Sequence, residues 1–273
     1  MNHQQIIHIH FKVILLIMIF LSISTIYAQT QQRMWNGKQY AVTLTYDDGL
    51  DVHLDNVVPV LDTLNFKATF YVPGKSKSLK NRLEDWKNLA KKHEIGNHTL
   101  FHPCRSKSGK RAWVVPEYDL DRYTMSQILN ELSVANTLLS AIDGKTERTF
   151  AYTCGDTTVS DSCFVNNIKE DFLAARGTHK GLNHIRDLDL YNIRVYTVNG
   201  QTAEKLLDIV NQAKEEMAWV VFLFHGVGGG HSYNISLEAH NKLLNHLKKN
   251  EDEVWVASFI DVVKLLKENK NTN

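Results

Sequence analysis

Short runs of apolar, β-branched and aromatic residues recur along this chain, separated by stretches whose apolar positions repeat at helical spacing. The run Tyr40–Tyr46 predicts a strand that stops at the acidic pair Asp47-Asp48. Val52–Leu64 carries helical periodicity, and Lys67–Val72 is strand-like again up to Pro73-Gly74. Leu83–Lys92 predicts an amphipathic helix, followed by a short strand at Glu94–Asn97. Thr124 with Gln127 predicts a capping box, opening a helix that runs to roughly Ala141 and closes at Asp143-Gly144. Four more strands are predicted at Thr149–Tyr152, Phe172–Ala175, Ile193–Val198 and Trp219–Phe224, before Val254–Val256 and a helix over Phe259–Leu266. This alternation predicts an α/β fold with a mainly parallel sheet, closed into a barrel or open and doubly wound. In both, ligands gather at the C-terminal ends of the strands.

The beginning of the chain is different in kind. Lys12 precedes the apolar run Val13–Leu21, and Ser22–Ala28 follow with smaller, more polar side chains. That layout predicts a signal peptide over residues 1–28, cleaved between Ala28 and Gln29, because the apolar core is short for a span of about 20 residues. The mature protein, residues 29–273, is then expected to be secreted or periplasmic, with no stable membrane association. Its length suits one large α/β domain or two small ones, but no Pro/Gly-rich linker marks an internal boundary. The balance of 31 basic and 30 acidic side chains lacks the basic excess of a nucleic-acid-binding surface. The three cysteines, Cys104, Cys154 and Cys163, match no zinc-binding spacing, and their odd number leaves at least one thiol over.

Three predicted strand ends carry chemistry. The first delivers Asp47 and Asp48 side by side, two like charges that call for a shared cation or proton. The third ends in Asn97-His98-Thr99-Leu100-Phe101-His102-Pro103. One helical turn there would set His98 and His102 on the same side, and two neutral imidazoles with a carboxylate make a divalent-metal set with open positions. The strand Val220–Phe224 delivers His225 to a Gly-rich turn.

Thr45-Tyr46-Asp47-Asp48-Gly49, His98-Thr99-Leu100-Phe101-His102-Pro103 and Leu223-Phe224-His225-Gly226 resemble, in order and spacing, the first, second and fifth motifs of the NodB-like polysaccharide deacetylases, carbohydrate esterase family four. The similarity spans roughly Tyr40–Leu266. It implies a distorted (β/α) barrel of about seven parallel strands. It also implies one divalent ion, usually zinc with cobalt or nickel as alternatives, bound by Asp48, His98 and His102. Asp47 then resembles the catalytic base and His225 the general acid, with the backbone N–H of Cys154 and the side chain of Leu223 on the substrate. The activity implied is metal-dependent removal of acetyl groups from a carbohydrate polymer, either an N-acetyl glycan of the peptidoglycan or chitin kind or O-acetylated xylan.

The third and fourth motifs depart from the pattern. Ala151 stands where the family's third motif has an arginine that braces the base, and Cys154 stands where it has a tyrosine. Arg176 is the candidate replacement, by its position at a neighbouring strand end. No acidic partner for His225 is found in the fourth motif, where Asn199-Gly200 follows the strand. His231 and His240 are read as ordinary structural histidines. The loop Arg105–Tyr123 carries Trp113, Tyr118 and Tyr123, a candidate sugar-stacking wall. A bond between Cys104 and Cys154 is compatible with these positions. Two other readings remain: a carbohydrate-binding protein that has kept the fold and lost catalysis, which the missing arginine favours, and a metal-free hydrolase of small cyclic amides, which the complete metal set disfavours.

Overall fold

The computed structural model describes residues 35–108 and 111–271, with isolated positions at 10, 12 and 15–19. The predicted signal peptide and its cleavage point fall largely outside the described residues. Among those described, no helix is long and apolar enough to cross a membrane.

Seven parallel strands close into a barrel: β1 Tyr40–Asp47, β2 Thr69–Val72, β3 Glu94–Asn97, β4 Thr149–Ala151, β5 Ala174–Lys180, β6 Ile193–Thr197 and β7 Trp219–Phe224. They neighbour one another in chain order, and β7 returns to pair with β1 over 41–46. An eighth strand, β8 (Val254–Val256), pairs with the first half of β1 at Tyr40–Val42, whereas β2 pairs with its second half at Thr45–Asp47. The sheet is therefore closed rather than open. It is distorted where β3 meets β4 at one register pair, Asn97 with Phe150, and where the β5–β6 register shifts between Arg176 and Lys180.

The helices are α1 Val58–Leu64, entered through a wide turn at His53–Val57, then α2 Lys77–Asn81, α3 Leu83–Leu89, α4 Met125–Asp143, α5 Ala203–Glu215, α6 Leu237–Lys249 and α7 Phe259–Asn271. The capping box of α4 forms as its sequence requires: Thr124 accepts from Gln127 N–H, the Gln127 side chain accepts from Thr124 N–H, and Gly144 ends the helix at φ 70°. Helices α5 and α6 were not among the elements predicted from the apolar spacing, although Thr202 and Ser236 cap them. The strand predicted at Phe172–Ala175 begins later and runs further. Phe172 packs against Phe150 at 5.2 Å, and pairing with β6 carries β5 on to Lys180.

All eight residues of β1 are buried, as expected for a parallel strand covered on both faces. Tyr40, Val42, Leu44 and Tyr46 pack with Leu206 and Val210 of α5 and Leu243 and Leu247 of α6. The alternate residues face inward, where Ala41 joins Trp219, Val221 and Phe259. Polar groups on that side are satisfied locally: Trp219 Nε1–H donates to Thr43 Oγ1 at 3.0 Å, and Phe259 N–H to Thr69 Oγ1 at 2.8 Å. A rigid closed sheet thus aims the C-terminal ends of β1, β3, β4, β5 and β7 at one rim.

Candidate active site

Asp47 ends β1, and Asp48 follows it with φ 76°, a left-handed conformation that turns the second carboxylate over the rim. His98 and His102 follow β3. They are not on a helical turn, as their spacing suggested. The segment is irregular, with Thr99 and His102 at φ 64° and 53°. Polar groups hold it in that shape: Asn97 Oδ1 accepts from Thr99 N–H (2.8 Å), Thr99 Oγ1 from His102 N–H (2.9 Å), and the buried Glu131 Oε2 from Phe101 N–H (3.1 Å). The two imidazoles end 4.8 Å apart, ring to ring.

Both face Asp48. His98 Nε2 lies 3.6 Å and His102 Nε2 3.3 Å from Asp48 Oδ1. One ligand atom from each of Asp48, His98 and His102 falls within 4.8 Å of the others. His98 Nδ1–H donates to Ala151 O at 2.8 Å, which leaves the Nε2 lone pair facing the carboxylate, the tautomer a metal ligand needs. Burial holds His98 down to about 4 and pushes His102 below its ordinary value, so both are neutral near pH 7. Burial pushes the Asp48 carboxyl up, but the surrounding imidazoles of His102, His98, His225 and His231 outweigh it and hold the group below its usual range. A carboxylate and two neutral imidazoles with convergent donor atoms fit a divalent cation.

Asp47 is almost wholly buried, and Arg176 Nη2–H donates to its Oδ1. Its Oδ2 stays on the histidine side, 3.9 Å from His98 Nε2. Arg176 stands in β5 directly across from Ala151 in β4, and its guanidinium also lies over the Tyr71 ring at 4.6 Å. The charge absent at Ala151 is thus present one strand away.

His225 follows β7, with its Nε2 3.9 Å from Asp48 Oδ2. Burial lowers its pKa below the ordinary value, and its buried Nδ1 has no hydrogen-bond partner among the described residues. The backbone carbonyl of His225 is held instead by His53: Leu50 N–H donates to His53 Nδ1 (3.2 Å), and the opposite edge, Nε2–H, donates to His225 O at 2.8 Å. Sequence reasoning missed His53, because a lone histidine at the start of a helix carries no signal of its own.

Cys154, at φ 56° in the turn after β4, and Leu223 both line the cleft over these residues, a cavity of about 880 Å³. Cys154 is bonded to Cys104, whereas Cys163 is free and exposed. Of the three aromatic residues in the loop after His102, only Trp113 reaches the cleft, and it is exposed. Tyr118 stacks on Phe101 at 5.3 Å, and buried Tyr123 donates its hydroxyl to Glu131 at 2.6 Å, so neither forms the expected wall. His240 is a core residue, 2.8 Å from the Tyr46 hydroxyl. His231, read from sequence as structural, lines the cleft beside His225.

The family described as polysaccharide deacetylase matches residues 36–166 of this chain. No curated protein matches it in sequence. Among solved structures, a putative polysaccharide deacetylase from Mycobacterium smegmatis superposes with a TM-score of 0.63 at 16% identity, covering 86% of this chain and 92% of that one. A family 4 acetyl xylan esterase from Clostridium thermocellum, in complex with a cobalt ion, gives 0.53 at 20% identity, covering 82% and 91%. A mutant of a family 4 pseudoenzyme with restored enzymatic activity gives 0.53 at 18%, covering 83% and 68%. The resemblance read from the motifs is borne out, and the fold is the seven-stranded barrel of these proteins.

Proposed function

We propose that this chain, which matches the polysaccharide deacetylases over residues 36–166 and shares the fold of the family 4 carbohydrate esterases, is a secreted or periplasmic metal-dependent hydrolase that removes acetyl groups from a carbohydrate polymer. In this reading residues 1–28 are its signal peptide and 29–273 its catalytic domain. The observation that carries the reading is the pairing of Arg176 with Asp47 beside the Asp48, His98 and His102 set. Those three residues would hold the cation, zinc in the first instance.

When bound, such an ion supplies Lewis acidity to the acetyl carbonyl and to the attacking water. The rest falls to the chain's own side chains. Arg176 occupies one oxygen of Asp47, which leaves the other, on the His98 side, to take the proton of the attacking water. His225 faces the opposite carboxylate oxygen of Asp48, away from the edge that His98 and His102 face, and would serve as the acid toward the departing sugar. The backbone N–H of Cys154 is the candidate donor to the developing oxyanion, and Leu223 packs against the acetyl group. N-acetyl and O-acetyl substrates present the same carbonyl, so both classes are accommodated.

The test is acetate release by the mature protein, zinc-loaded or chelated, from acetylated xylan, N-acetylglucosamine oligomers and peptidoglycan, with Asp47→Asn alongside. Metal-dependent release from one of them, lost in Asp47→Asn while zinc still binds, supports the reading. A zinc-loaded protein that releases no acetate from any of the three overturns it. The competing reading, a carbohydrate-binding protein without activity, is motivated by Ala151 at the position of the family's arginine. The charge that Arg176 delivers to Asp47 argues against it.

A further inference from the structure

The segment after His225 is built to fold back on it. Gly226–Val227 pairs with Asn234–Ile235, which closes a short loop over the rim. Gly228, Gly229 and Gly230 in that loop have φ of 71°, 126° and 85°, backbone that residues with a Cβ rarely adopt. A Cβ on Gly226 would meet Gly229 O at 2.3 Å and His231 N at 3.0 Å. The glycines therefore permit a turn tight enough to bring His231 back onto His225.

The two imidazoles stack, with centroids 4.6 Å apart and planes 15° from parallel. Their Nε2 atoms approach the same carboxylate oxygen, Asp48 Oδ2, at 3.9 Å from His225 and 3.8 Å from His231. This is the oxygen turned away from the edge that His98 and His102 face. The two rings differ in what fixes their protons. His225 Nδ1 is buried without a partner among the described residues, so nothing there selects its tautomer. His231 Nδ1 accepts from Tyr233 N–H at 2.9 Å, so the neutral ring carries its proton on Nε2, facing the cleft. A protonated Nε2 has no lone pair for a cation, which separates His231 from the metal set. Its side chain is 31% exposed, against 17% for His225, so it lies nearer an incoming polymer.

We propose that His231 is a substrate-contacting residue whose Nε2–H donates a hydrogen bond to the sugar-side heteroatom of the acetylated group. The leaving-group side of the site then presents two imidazoles, one of them with its donor orientation set by the backbone. This rests on the deacetylase reading. A sugar alkoxide or amine is a poor leaving group and gains from such a donor, whereas 4-nitrophenolate departs without one.

The experiment compares wild type, His231→Phe, which keeps a flat ring against His225 but removes the N–H, and His231→Gln, which restores a donor. Each is assayed on its acetylated carbohydrate and on 4-nitrophenyl acetate, and zinc affinity is measured by calorimetry. The expected result is a fall in kcat on carbohydrate that exceeds the fall on 4-nitrophenyl acetate by at least about tenfold in His231→Phe, with partial recovery in His231→Gln and unchanged zinc affinity. Wild-type kcat on carbohydrate, equal losses on both substrates, or weakened zinc binding each overturns the proposal. A wild-type protein that releases no acetate from any acetylated carbohydrate overturns the deacetylase reading on which it rests.

Discussion

Arg176 donates to Asp47 across the barrel, from the strand position directly opposite Ala151. Both side chains are buried, and the guanidinium Nε and Nη1 have no hydrogen-bond partner among the described residues. Removing one member of a buried pair strands the other charge, at a typical cost of about 3–5 kcal/mol. Arg176→Ala is therefore expected to lower the melting temperature. It should also cut turnover at least about tenfold, because Asp47 loses its orientation. Arg176→Lys should recover only part, since an ammonium lacks the planar fork. An unchanged rate in a folded Arg176→Ala protein would remove Arg176 from the site.

The Cys104–Cys154 bond ties the loop after His102 to the turn after β4, spanning 50 residues of sequence. Closing a loop of that length is worth about 4 kcal/mol in chain-entropy terms. The Cys104→Ala/Cys154→Ala double variant should melt well below wild type. Cys163→Ser, at an exposed free thiol, should shift stability by no more than about 0.5 kcal/mol. Equal melting curves for wild type and the double variant would show that the bond carries no stability.

Burial depresses His53, His93 and His240 to about 4 each. The unfolded chain titrates them near the ordinary value of about 6.5, so it binds more protons than the folded state between the two. Stability from these groups is thus fully present above about pH 6.5 and is lost as pH falls toward about 4. Melting temperatures recorded across that window should drop, and His240→Gln should drop less steeply than wild type. Parallel curves for the two proteins would exclude a contribution from His240.

Trp113 is the exposed aromatic residue of its loop that lines the cleft. An indole face stacks on a pyranose ring, so Trp113→Ala should raise KM for a polymer by about threefold to tenfold. KM for 4-nitrophenyl acetate, which carries no sugar ring, should rise less. An unaltered polymer KM would mean that the sugar binds elsewhere in the cleft.

Asp47, Asp48, His98, His102 and His225 were legible from the chain because each sits at or just beyond the end of a predicted strand. In a parallel sheet all such ends reach the same rim, so local pattern alone predicts their convergence. The capping box at Thr124 was legible for the same reason, since every contact it makes lies within one helical turn. Helices α5 and α6 went unmarked despite their caps at Thr202 and Ser236. The His98–His102 pair also took a non-helical path, because Asn97, Thr99 and Glu131 bind its backbone.

The remaining features depend on distances that no local pattern encodes. Strand register sets Arg176 opposite Ala151 and so against Asp47. Closure of the rim brings Cys104 to Cys154, while Glu131 draws Tyr123 into the core and away from the cleft. His231 reaches His225 only because three glycines let the chain reverse within a few residues. The amino-acid sequence by itself determined which chemical groups stand at the strand ends. Only the tertiary structure decided which of them touch, because pairing across a barrel is set by register and closure rather than by neighbours in the chain.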